Sequence, residues 1–278
     1  MLSRLAGAVL RGFLIAWLIA LPTLVLPGTP GDTALIALFL ASCAGALTVS
    51  EYLSGSPSLV EFRDAPPFNR IRFFAAAATV LLLTLLVREQ ITPSPLGGAV
   101  ESVAQSVANL LDQPFSPVRL MGLMLPPEMP ASMTALVITA SAVAYMIGWL
   151  SVAFFALSLR TMGWPTRRRD FNLWINLPTF EASSRGDLIQ RLERTGQINL
   201  VLGFLLPFLF PATVEYSGGL IDVTRLVSAH SQIWMVSAWG VIPAGLMMRG
   251  IALLRVAQMV EEQRRERAQS DTAELSAA

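Results

Sequence analysis

The residues best suited to chemistry form a methionine cluster, Met121, Met124, Met129 and Met133, in the stretch MGLMLPPEMPASM. Thioethers are soft ligands that suit Cu(I), and an MxxM step on a helix brings two sulfurs to one face. Copper handling at the outer face of a membrane is the chemistry this cluster would support. Leu120, Leu123 and Leu125 interleave the sulfurs, and no His or Cys stands among them. Methionine also fills irregular apolar gaps, and that simpler reading accounts for the same residues without a metal.

A second candidate is His230, the single histidine, which shares a predicted outer loop with Glu215 and Asp222. A His and carboxylate pair can move a proton. No GxSxG elbow supplies a nucleophile, so His230 reads as a cap or surface group at a helix start.

Other chemistries fall to composition. The 20 basic residues are all arginine, which excludes a Schiff-base lysine and a GK[ST] phosphate loop. One cysteine, Cys43, excludes an internal disulfide or a CxxC site, and one histidine excludes HExxH zinc or bis-His haem. A net charge of +1 gives no field that would favour nucleic acid. No cofactor is expected. Arginine without lysine also points to the GC-rich coding of a bacterial genome.

Two polar stretches share a pattern. FRDAPPFNR holds Arg63, Asp64, Phe68 and Asn69; GWPTRRRDFNLWINLP holds Trp164, Arg167, Arg168, Arg169, Asp170, Asn172 and Trp174. Each joins an Arg-Asp pair to an aromatic and an asparagine. Arginine suits phosphate or carboxylate, tryptophan suits the membrane interface, and asparagine closes turns. These residues form the expected interaction surface.

The elements that must position them are set by a bilayer. Met129 to Leu159 carries no formal charge, well beyond the ~20 apolar residues that cross a hydrocarbon core of ~30 Å. The chain is 54% hydrophobic and 14% charged, with a mean hydropathy of +0.58, whereas soluble domains usually carry about a quarter charged residues. The sequence therefore predicts an all-α, polytopic integral membrane helix bundle. Six spans fall at about 12–31, 33–50, 71–88, 131–159, 198–214 and 232–248, making 1–256 one transmembrane domain. Asp32 should cap the second span. The third has only 15 residues between Arg72 and Arg88 and needs its arginines to snorkel. Gly98 to Asp112 should be an amphipathic helix on the outer face, burying Val100, Val103, Val107 and Leu110. A short helix, Asp187 to Thr195, should precede a fifth span kinked by Pro207 and Pro211. Residues 257–278 form a charged tail whose first half can continue the sixth helix and whose end should be disordered.

Stripes of small residues at four-residue spacing recur: Gly12, Ala16 and Ala20; Ala37, Ala41 and Gly45; Ala140, Ala144 and Gly148; Gly240 and Ala244. They let helices approach closely. All arginines except Arg88, Arg119 and Arg225 fall on one predicted side, and the positive-inside rule makes it cytoplasmic, with both termini there. The span centres hold essentially no ionisable residues, which disfavours an ion-coupled carrier. The expected function is a non-enzymatic scaffold, assembly or accessory subunit in a bacterial inner membrane, in contact with the lipid bilayer and with another membrane protein or a second copy. The alternative is a small-solute transporter or channel. A membrane-embedded enzyme ranks lower.

Overall fold

The computed structural model describes residues 2–55, 58–162, 164, 176–178, 188–216 and 228–277. Among them the chain is entirely helical. The helices are α1 (Leu2–Val25), α2 (Gly31–Leu53), α3 (Phe68–Glu89), α4 (Pro95–Leu111), α5 (Pro117–Leu123), α6 (Ala131–Met162), α7 (Leu188–Tyr216) and α8 (Ala229–Ala277). Six of them, all but α4 and α5, are long and apolar enough to cross a membrane.

Helix ends follow capping and proline chemistry rather than the edges of apolar runs. Charged residues extend a helix past its hydrocarbon segment, so α1 begins well before Gly12 and takes in Arg4 and Arg11. It stops at Val25, short of the predicted boundary at 31, because Pro27 lacks a donor and Gly28 turns the chain at φ +70°. Asp32 is not the cap of α2; Pro30 precedes the helix and Asp32 sits in its first turn, where a carboxylate suits the helix dipole. α3 runs 22 residues, about 33 Å, so its ends reach both headgroup regions although its charge-free centre is short. Ser94 and Ser116 cap α4 and α5 by accepting from the Gly97 and Arg119 amides, each followed by proline at the first helical position.

Two more expectations are corrected. The predicted helix at 187–195 and the fifth span are one helix, α7, because nothing between Arg194 and Ile198 breaks it. The tail is helical through Ala277, with Glu261 and Arg265 paired one turn apart.

α8 is the axis of the bundle, packing on α1, α3, α6 and α7. It runs parallel to α6, where Gly240 meets Ala144, and antiparallel to α7, where Gly250 meets Gly196 and Gly203 meets Pro243. Pro211 cannot donate to the Pro207 carbonyl one turn back, and the Trp239 indole N–H of α8 donates to it instead, at 3.2 Å. α1 and α2 form an antiparallel hairpin closed at Gly12 and Gly45. Each stripe glycine thus meets a partner within the chain. α2 packs on α1 and makes no comparable packing with any other helix.

α4 and α5 cover the end of the bundle opposite most of the arginines, against α6. α4 turns a different face inward from the one its valines predict. Gly97, Ala104 and Ala108 are buried, Val100 and Val107 are partly covered, and Val103 and Leu110 stay about two-thirds exposed. Small residues win the contact because they let α4 approach α3 and α6 closely.

Candidate functional site

The polar chemistry of the described residues gathers at the arginine-rich end, where the 54–67 loop folds over the helix ends. Its anchor is Glu51, in the last turn of α2. The carboxylate is buried and accepts from the Ser58 amide (3.0 Å), the Ser58 hydroxyl (2.7 Å), the Leu59 amide (3.0 Å) and the Val60 amide (3.3 Å). One acid thereby satisfies three loop amides that could not pair in a helix. Arg63 completes the turn, donating to the carbonyls of Glu51 (2.9 Å) and Ser54 (2.7 Å), orphan acceptors at the end of α2.

From there the chain turns inward. Phe62 adopts φ +52°, left-handed for a residue with no special aptitude for it, at a cost of about 1–2 kcal/mol. Two contacts with the second polar stretch offset that cost: the Phe62 amide donates to the Asn176 carbonyl (2.7 Å) and the Asp64 amide to Asn176 Oδ1 (3.2 Å). Phe62, Phe68, Phe155 and Trp164 then pack as one aromatic cluster, with neighbouring ring centroids 4.7 to 6.1 Å apart. Trp164 donates from its indole to the Ala65 carbonyl (3.3 Å), and Arg255 of α8 donates to the Trp164 carbonyl (3.2 Å).

A bidentate ion pair fastens this assembly to the axis of the bundle. Arg249 Nε and Nη2 donate to Glu61 Oε2 (2.6 Å) and Oε1 (2.7 Å), with side-chain exposures of 25% and 11%. Such a fork is the strong form of a charge-assisted bond. Asn69 Nδ2 holds the Glu61 carbonyl at 2.8 Å. The resulting clasp joins α2, α3, α6 and α8.

The two related stretches meet at Asn176 and Trp164, a contact their shared composition did not foretell, and several of their residues are spent inside the chain. Phe68 and Trp164 are buried and the Arg63 side chain is 6% exposed, so they hold loops instead of presenting a surface. Asp64, beside Arg63 at 3.4 Å, is 56% exposed and remains accessible. Arg167, Arg168, Arg169, Asp170, Asn172 and Trp174 lie outside the described residues. Glu61 and Arg249 are residues that the sequence alone does not single out as a tether. The available signal was an acid immediately before FRD on a face crowded with arginine.

The methionines belong to the other end. Met121 and Met124 are buried in the apolar core with Val118, Leu125 and Val137, while Met129 and Met133 pack against its edge. That is the gap-filling role. Among the described residues no group of three or more His, Cys, Asp or Glu could hold a metal. His230 Nε2 lies 3.4 Å from Thr23 Oγ1, tying α8 to α1; Asp222 lies outside the described residues.

These features define a class: an all-α, multi-pass membrane protein of six apolar helices, four of which are clasped at one end by a polar loop. Comparison with known proteins takes this no further, since no family model, no curated protein and no solved structure matches the chain.

Proposed function

We propose that this chain is a bacterial inner-membrane protein with both termini in the cytoplasm, and that it works by binding another membrane protein as a scaffold, assembly or accessory subunit. The observation that carries the reading is α2. Leu35, Ile36, Phe39, Leu40 and Leu47 are each more than half exposed and follow one face of this helix, whose main packing among the described residues is on α1. With its own small-residue stripe spent on α1, α2 offers a ridge of large side chains that a second protein's helix can pack against. The clasp supports the same reading, because among the described residues Glu51, Glu61, Arg63 and Arg249 are engaged in holding loop and helix ends.

Cys43, the single cysteine, is exposed on α2, and its position suits a probe. Mild-detergent purification is expected to bring down a stoichiometric membrane protein, and a photo-activated cross-linking residue at position 43 to capture it. Replacing Phe39 and Leu40 with alanine should weaken that capture severalfold, as should neutralising Arg167 to Arg169. A solitary protein that moves solute across liposomes would reject the reading.

That outcome would favour transport, to which one groove lends support. Tyr145, Trp149, Gly203, Pro207, Gly240 and Pro243 line it between α6, α7 and α8, where prolines free backbone carbonyls near mid-helix. It holds no ionisable group apart from the Tyr145 phenol, which favours the binding role.

Orientation has its own test. Reporters fused after Asp112 and after Ser270 should report opposite sides of the membrane, the second cytoplasmic.

A further inference from the structure

Arg72 stands apart from the arginines of the clasp. It lies four residues past the start of α3, about 6 Å along the axis, just inside the hydrocarbon edge of a span of this length, from where an arginine side chain snorkels outward to the lipid phosphates. The residue is exposed, and among the described residues it makes no hydrogen bond or ion pair. Its position is nevertheless fixed. The guanidinium lies 5.2 Å from the centroid of Phe68, a ring that the aromatic cluster locks in place, and a Cβ built on Gly245 of α8 would come within 3.7 Å of Nε. Arg72 thus crosses towards α8 in van der Waals reach of it at Gly245.

Among the described residues, Glu61 and Arg249 are its electrostatic neighbours, and both Glu61 oxygens accept from Arg249 Nε and Nη2, so the planar fork of Arg72 is left open.

We propose that Arg72 forms a binding site for a monoanionic phosphate group at the arginine-rich face of the membrane. A phosphodiester carries one negative charge and presents paired oxygens to the planar fork, which a point charge matches less well. Phe68 supplies the rigid wall. The phosphate can belong to an anionic phospholipid headgroup or to a free anion, and the two sources are separable.

The test uses the full chain released from bilayers of equimolar phosphatidylglycerol and phosphatidylcholine and weighed by native mass spectrometry. The wild-type protein is expected to retain phosphatidylglycerol preferentially, and Arg72→Gln to lose about fivefold of that preference. Arg70→Gln, on the same helix and exposed, should match the wild type. In a second arm, inorganic phosphate is added to lipid-stripped protein; a rise in melting temperature present in the wild type and absent in Arg72→Gln would support the site and assign it to a free anion. Arg72→Gln indistinguishable from wild type in both arms overturns the proposal. Should that variant fail to fold, Arg72→Lys decides: it keeps the charge without the fork, so a weakened preference supports the site and an unchanged one overturns it.

Discussion

Replacing Glu61 with glutamine is expected to lower stability by about 3 kcal/mol, the lower end of the cost of removing one partner from a buried ion pair. The lower end applies because the Arg249 side chain is a quarter exposed and water can solvate part of what is lost. The two halves of the pair should not be equivalent. Without the Glu61 charge, Arg249 and Arg72 face each other with no carboxylate between them; without Arg249, Glu61 still has Arg72 as an electrostatic neighbour. Glu61→Gln should therefore cost more than Arg249→Gln. The double variant should cost less than the sum of the two, because each side chain left behind is then neutral. Thermal melts in one detergent, followed by tryptophan fluorescence, measure all four proteins; Trp164 reports on the clasp directly. Strictly additive losses, or an Arg249→Gln variant that is the weaker single, would mean that the fork seen between α8 and the loop does not hold the chain together.

That prediction rests on residues the sequence left unremarked, and the reason is physical. Charge-free runs of bilayer length have few alternatives to a membrane helix, so α2, α3, α6 and the apolar parts of α1, α7 and α8 were legible from composition alone. Their ends were not, since a helix carries Arg4, Arg70 or Arg264 as readily as leucine once it leaves hydrocarbon. The small-residue stripes told that helices would approach closely but not which ones: Ala144 could have met any glycine, and only the fold assigns it Gly240.

The clasp was half legible. FRDAPPFNR and RRDFNLWINLP announced two loops of kindred chemistry, and the structure joins them through Asn176 and Trp164. What local sequence could not show is that Phe62, Phe68 and Trp164 turn inward, because an aromatic beside an arginine suits a headgroup interface equally well. The decision belongs to contacts made across more than a hundred residues, such as the Asp64 amide on Asn176 Oδ1. The methionines illustrate the converse. MxxM spacing fits a soft-metal site and a core equally, and burial of Met121 among Val118 and Val137 is information held by the fold alone.

The axis of the bundle carries the second large effect. A Cβ added to Gly240 would stand 2.8 Å from both the Cβ and the carbonyl oxygen of Ala144, and 2.9 Å from its carbonyl carbon. Two of those three atoms are backbone, so no rotamer change relieves the clash and α6 and α8 must separate. Inside a bilayer this is costly in a particular way: lipid is as apolar as the helices, so association rests on van der Waals packing and close backbone approach, and opening the seam forfeits both. Overpacking of a tight core costs about 1–3 kcal/mol, and Gly240→Ala should fall in that range while Gly240→Val exceeds it. Separation would also disturb Tyr145 against Trp239, now 5.8 Å apart, and through Trp239 the bond that satisfies the Pro207 carbonyl of α7. A single methyl would thus loosen three helices. Gly31→Ala supplies the control, since nothing lies within 4 Å of the added carbon and the change should stay within about 0.5 kcal/mol. If Gly240→Val melts with the wild type, α8 does not meet α6 at this seam, and the packing of α7 against α8 must be rebuilt with it.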